Sequence, residues 1–229
     1  MKTLGLLGGM SWESTVPYYR LINEAVRDRL GGLNSAPLLL ASVNFAEVEA
    51  LMRADRWDDA GELLGRHAAV LERAGAEGLV LCTNTLHKVA PVIERAVRIP
   101  LLHIVEPTAA AVSQAGLTRV GLLATRFTME SAFYVDRLRA HGLEVVVPGA
   151  PDRSEVHRII FEELCVGQVR ADSRRKYQGV IERLRADGAQ GIVLGCTEIA
   201  MLITPADSGL PLFDTTSLHA AYAVDWALA

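Results

Sequence analysis

The chain has 229 residues, half of them hydrophobic and 22% charged, which is an ordinary soluble composition with enough apolar material for one large domain or two small ones. Its formal net charge is −4, no basic stripe is present and aromatics make up only 6%, so neither nucleic acid nor an anionic membrane is an expected partner. No apolar run reaches membrane-spanning length, and the opening "MKTLGLLGGM" is too short for a secretory signal core.

The first predicted strand covers 3–9, "TLGLLGG". A helix is expected over 18–30, stopping at Gly31–Gly32, with Pro17 tolerable only in its first turn. A second strand is read at 36–45. A helix follows at 57–76, where Leu63, Leu64, Val70 and Leu71 recur at helical intervals and Gly75 marks the end. Strands at 78–82, 99–105, 119–125 and 143–149 come next, then a helix at 174–189, strands at 191–196 and 210–216, and a final helical stretch, "SLHAAYAVDWALA". The strands are short Leu/Val/Ile runs, apolar on both faces, as parallel strands covered by helices are. The fold class is therefore α/β with parallel sheets.

The chain also repeats itself. "TLGLLGGMSWES" matches "RVGLLATRFTMES", placing Gly5 against Gly121; "GAEGLVLCTNT" matches "GAQGIVLGCTEI", placing Cys82 against Cys196; "IPLLHIVEPT" matches "LPLFDTTSLH", placing His103 against Asp214. Three anchors in one order at nearly constant spacing imply two lobes related by a pseudo-twofold axis. The expected division is 1–104 plus 216–229 for the first lobe and 105–215 for the second, with the active site in the cleft between them and a hinge around Pro107 and Gly116.

Three cysteines, Cys82, Cys165 and Cys196, form no disulfide framework and no C-x-x-C pair, which suits a reducing, cytoplasmic setting and argues against a zinc site. Cys82 and Cys196 both fall at the carboxyl end of a predicted strand, where ligands of parallel α/β sheets bind. Each precedes a threonine, Thr83 or Thr197, and then an expected helix start, whose amides and dipole favour negative charge and should lower the thiol pKa. Two opposed thiols suit proton exchange at a stereocentre, one sulfur removing a proton from one face and the other returning one to the opposite face. The competing reading is a pair of buried structural cysteines.

"GLLGGMSWEST" at 5–15, "LCTNTLHK" at 81–88, "LGCTEI" at 194–199 and "FDTTSLHA" at 213–220 together resemble the aspartate/glutamate racemase family, over nearly the whole chain and most closely its broad-specificity amino-acid racemase members. The resemblance implies a flavodoxin-like racemase fold, a small amino-acid substrate, no cofactor and no metal, a possible homodimer, and Cys82 and Cys196 as the base and acid. It implies that Thr83, Asn84, Thr85 and Thr197 hold the α-carboxylate, that Glu198 meets the ammonium or tunes Cys196, and that Met10, Ser11 and Thr125 line the pocket. Asn84 and Thr85 could instead cap a helix, Glu198 could be a first-turn acid, and Met10 could be core. His87 reads as a helix-surface or supporting residue, His103 and His219 as structural histidines, and Cys165 as a helix residue that packs or lines the pocket.

Aspartate-selective members of that family place basic residues in the segments that here read "NFAEVEALM" and "FEELCVG". Neither has a Lys or Arg, although Arg53 and Arg56 lie just downstream. A second carboxylate would be poorly paired there. Met52 and Cys165 give a more tolerant, apolar pocket, so broad specificity is expected ahead of strict aspartate or glutamate racemisation. A maleate-type cis–trans isomerase is a further alternative. A decarboxylase of this fold fits poorly because such enzymes keep only the second cysteine. A two-lobed binding protein would need no thiols, and Gly-x-x-Gly-Gly after the first strand is not a dinucleotide fingerprint.

Overall fold

The computed structural model describes all residues, Met1–Ala229, as two compact units: Met1–His103 with His219–Ala229, and Ile104–Leu218. The first unit runs β1 Leu4–Gly8, α1 Trp12–Leu30, β2 Leu38–Ser42, α2 Phe45–Arg53, α3 Trp57–Arg73, β3 Gly78–Leu81, a 3-10 turn Thr85–Val89, α4 Ala90–Ala96 and β4 Leu101–Leu102. The second runs α5 Val105–Gln114, β5 Arg119–Ala124, α6 Arg126–Met129, α7 Ala132–Ala140, β6 Glu144–Val146, α8 Ala150–Glu162, a 3-10 turn Leu164–Val166, α9 Ala171–Ala186, β7 Gly191–Gly195, α10 Ile199–Leu202, a 3-10 turn Pro205–Asp207 and β8 Leu212–Asp214. The last helix, α11 Thr215–Leu228, starts in the second unit and ends in the first.

Each unit holds one four-stranded parallel sheet, ordered β2-β1-β3-β4 in the first and β6-β5-β7-β8 in the second. The order is the same, and the two central strands of each sheet are buried almost throughout. On one face of the first sheet, Leu4, Leu6 and Val80 pack against Tyr18, Ile22 and Val26 of α1 and Ala220, Ala223 and Val224 of α11. In the second unit, Val120, Leu122, Ile192 and Leu194 meet Tyr134, Ile159, Ile181 and Leu184.

The matched glycines have a matched physical use. A Cβ on Gly5 would sit 2.9 Å from the Ala76 Cβ, and one on Gly121 would sit 2.8 Å from Ile192 Cδ1 and 3.0 Å from Leu184 Cδ1. Each glycine lets a neighbouring segment lie directly on the first strand of its sheet. Gly9, at φ +87, supplies the left-handed turn that β1 needs before α1.

Several boundaries differ from expectation. α1 begins at Trp12, six residues early, so Pro17 lies in its interior and removes one intrahelical donor. Ser14 Oγ and Thr15 Oγ1 both donate to Ser11 O (3.0 and 2.9 Å) and tie down the first turn. The second strand stops at Ser42 because Asn44 accepts from the Ala46 amide and starts α2. The edge strands β4, β6 and β8 keep only two or three residues, whereas the edge strand β2 pairs with β1 over all five of its residues. Pro107 lies in the first turn of α5 and Gly116 in the turn after it, so both the expected hinge residues belong to the second unit.

Candidate active site

In the first unit, β1 and β3 are neighbours with Leu7 opposite Leu81, and both end at the same edge. Met10 and Ser11 follow β1 and are buried; Cys82 follows β3, and its amide donates to Leu7 O at 2.9 Å. Thr83, Asn84 and Thr85 come next, all buried. Met52 is buried in the last turn of α2, the helix that follows the neighbouring strand β2.

The Cys82 thiol is fully buried and donates weakly to Val80 O at 3.6 Å. Burial pushes its pKa well up, the reverse of the expected lowering. The reason is local: the thiol is followed by a five-residue 3-10 turn, too short to present a helix dipole that could offset desolvation.

That turn also relocates His87, which is buried and not on a helix surface. Its Nδ1 is 2.7 Å from Thr83 O, which assigns the Nδ1 proton and lets the ring brace the Cys82–Thr83 backbone. His103 and His219 lie against it, with ring centroids 4.4 and 5.9 Å away. His219 Nε2 donates to Leu102 O at 2.6 Å, so its Nδ1 accepts the Tyr18 hydroxyl proton at 2.8 Å. Burial lowers the His219 pKa to about 4, and the ring is neutral at neutral pH. No group of three or more His, Cys, Asp or Glu side chains is arranged to hold a metal ion.

In the second unit, β5 and β7 are neighbours with Ala124 opposite Gly195, so Thr125 and Cys196 are the next residues on adjacent strands. Thr125 caps α6 from an extended conformation, and its hydroxyl lies 3.3 Å from that of Thr128. Cys196, Thr197 and Glu198 are all buried. Cys196 Sγ donates to Glu198 Oε2 at 3.0 Å, Thr197 Oγ1 donates to the same oxygen at 2.7 Å, and Cys165 Sγ donates to Oε1 at 3.7 Å. Cys165 stands on the 3-10 turn Leu164–Val166 and not on a longer helix. One carboxylate thus receives two thiols and a hydroxyl. Burial first, and the negative charge of Glu198 second, hold the Cys196 pKa well above the usual thiol range. The expected lowering fails here too, because only the four-residue α10 follows.

The basic residues downstream of Met52 are occupied elsewhere. Arg53 is exposed and paired with Glu49; Arg56 is paired with Asp59 at 2.7 Å. Arg158 of α8 serves Glu155, Glu162 and the buried Glu163.

Sequence reasoning overlooked Thr216. It sits at the start of α11, two residues past Asp214, which pairs with Leu194 as Cys196 lies two past Leu194. Its amide donates to Asp214 Oδ1 at 3.0 Å and the adjacent Thr215 hydroxyl donates to Leu194 O at 2.8 Å. The Thr216 hydroxyl is buried and has no hydrogen-bond partner. A threonine in a helix's first turn carries no sequence signal for this, because the burial comes from distant segments.

The family model for Asp/Glu/Hydantoin racemases matches residues 7–223. The broad-specificity amino-acid racemase RacX of Bacillus subtilis is 24% identical, over 99% of this chain and 98% of that protein. Among solved structures, a candidate Asp/Glu racemase from Yersinia pestis is 53% identical with a TM-score of 0.92, and an aspartate racemase homologue from Pyrococcus horikoshii is 33% identical with a TM-score of 0.86; both matches cover the full length of both chains.

Proposed function

The chain belongs to the Asp/Glu/Hydantoin racemase family and is an isomerase, and from that premise we propose that it inverts the α-carbon of free amino acids without a cofactor, with Cys82 and Cys196 as the acid–base pair. The observation that carries this reading is the Cys196 thiol donating to Glu198 at 3.0 Å, a nucleophile with its own proton acceptor attached. Glu198 takes the thiol proton. The Cys196 thiolate then removes the substrate's α-proton, and the Cys82 thiol delivers its proton to the opposite face, which leaves a Cys82 thiolate. The reverse direction exchanges the roles. Raised thiol pKa values suit the task, because a thiolate formed from a weakly acidic thiol is the stronger base toward an α-proton.

Thr83, Asn84, Thr85 and Thr197, with their amides, hold the α-carboxylate and the charge that spreads into it as the α-proton leaves. Met10, Ser11 and Thr125 line the pocket, and the unpartnered Thr216 hydroxyl bonds the substrate's polar head. Met52 and Cys165 face the substrate side chain. Arg53, Arg56 and Arg158 are already paired to carboxylates, so none of these three is reserved for an acidic side chain, which favours broad specificity. No helix is long and apolar enough to cross a membrane, and we place the enzyme in the cytoplasm, acting on free metabolites.

The test is α-proton exchange by NMR in deuterated water across a panel of L- and D-amino acids. Wild type exchanges several of them, and Cys82→Ser and Cys196→Ser each lose racemisation by several orders of magnitude. Near-native racemisation in either variant would end the two-thiol scheme.

A further inference from the structure

Glu13 stands in the first turn of α1, two residues past the N-cap Ser11. That turn sits directly on the end of β1. The Gly9 amide donates to Thr15 Oγ1 at 2.8 Å, and a Cβ on Gly8 would lie 2.4 Å from Thr15 Cγ2. β1 is the strand beside β3, and the Cys82 amide bonds Leu7 O, so Cys82 and the start of α1 share one edge of the first sheet. Glu13 Oε2 is buried there and has no hydrogen-bond partner. A carboxylate oxygen buried bare is costly, and an incoming donor would relieve it. The internal repeat shows what is missing. "MSWES" in the first unit matches "RFTMES" in the second, so Glu13 corresponds to Glu130. Glu130 is half-exposed and pairs with Arg153 at 3.1 Å and Arg126 at 4.0 Å. In the first unit Met10 stands where the second has Arg126. The acid is kept in both units, and only the second supplies its cation.

We propose that Glu13 receives the α-ammonium group of the substrate. This rests on the reading above that the site takes free amino acids. In that reading the α-carboxylate, the α-proton and the side chain each have partners, whereas the ammonium is a full positive charge that a buried site must meet with an acceptor of opposite sign. Glu198 is already engaged, with Oε2 accepting from Cys196 and Thr197 and Oε1 from Cys165. Glu13 is the remaining acid at a strand edge that carries a catalytic thiol, and its Oε2 is open to a charge-assisted hydrogen bond. The contact is made to a group that every amino acid carries, so it anchors substrates of any side chain. It also sets amino acids apart from plain carboxylic acids, because a ligand without the ammonium leaves the buried oxygen unpaired.

The experiment compares two ligands that differ only in the amino group, racemic 2-aminobutanoate and butanoate, by calorimetric titration of wild type, Glu13→Gln and Glu13→Met. The racemic form keeps turnover from changing the ligand. Wild type binds the amino acid more tightly than the plain acid. Each variant weakens 2-aminobutanoate binding by about tenfold or more, the loss expected of one charge-assisted hydrogen bond, and leaves butanoate within about twofold. Racemisation shows a raised KM with kcat nearly kept, because the contact is made alike in the ground and transition states. The unliganded variants unfold near the wild-type temperature, since relief of the bare oxygen offsets the lost contact with the helix dipole. Undiminished amino-acid binding in both variants would overturn the proposal, as would an equal loss of butanoate or a wild type that binds the two ligands alike. Racemisation that survives Cys82→Ser would end the two-thiol scheme and leave this comparison standing.

Discussion

Acid should loosen the first unit through one side chain, His219. Its ring is fully buried, donates to Leu102 O and accepts from Tyr18, and its pKa is lowered to about 4 by burial. In the unfolded chain it titrates near 6.5. The folded state therefore binds this proton less readily than the unfolded state does. The corresponding stability is complete above about pH 6.5, falls as pH drops through the interval, and is exhausted below about pH 4. A gap of about 2.5 units is worth roughly 3 kcal/mol, a large share of the 5–15 kcal/mol that holds a typical domain. The assay is urea unfolding at fixed protein concentration, from about pH 7.5 to about pH 4.5, of wild type and His219→Gln. His87 and His103 lie beside the ring in both proteins, so the difference between the two slopes isolates His219. Wild type should lose roughly 3 kcal/mol more than the variant over this range. Parallel curves would refute the reasoning, because they would mean that the buried ring takes its proton as easily folded as unfolded.

Two further outcomes are expected. Glu198→Gln removes the negative charge beside Cys196, so the thiol pKa should fall toward the usual range, read from the pH dependence of Cys196 alkylation by mass spectrometry. Racemisation should nonetheless drop by about 10²-fold or more, since the proton acceptor is gone; an unchanged alkylation profile would contradict the assigned contact. Thr216→Val exchanges a buried, unpartnered hydroxyl for a methyl of the same shape, and thermal unfolding should show unchanged or up to ~1 kcal/mol greater stability. The same variant should raise KM several-fold; an unaltered KM would remove Thr216 from the substrate contacts.

The central strands were legible because β1, β3, β5 and β7 are apolar on both faces and run directly into glycine, threonine or cysteine, which also located Cys82 and Cys196 just past strand ends. The duplication was legible in Gly5 and Gly121, and the packing under each gives the reason for a glycine. The start of α1 was hidden. Pro17 suggests a first turn, whereas the first turn is held by Ser14 and Thr15 hydroxyls, contacts that no periodicity reveals. For His87 the supporting alternative holds and the helix-surface one fails, because a regular helix was assumed after Cys82. The 3-10 turn and two histidines from elsewhere in the chain bury it. Thiol acidity was misjudged for the same cause: the assumed helix starts are a five-residue turn and a four-residue helix, and desolvation outweighs them.

The first unit is completed by the chain's last residues. Lys2 N–H bonds Ala227 O, the Lys2 ammonium lies over the Trp226 ring, and that ring occupies the place a Cβ on Gly78 would take. The apolar side chains of Leu4, Leu6 and Val80 are covered on one face by Ala220, Ala223 and Val224 of α11. Polar substitution of Ala220, Ala223 and Val224 would therefore disturb the sheet bearing Cys82 and spare the one bearing Cys196.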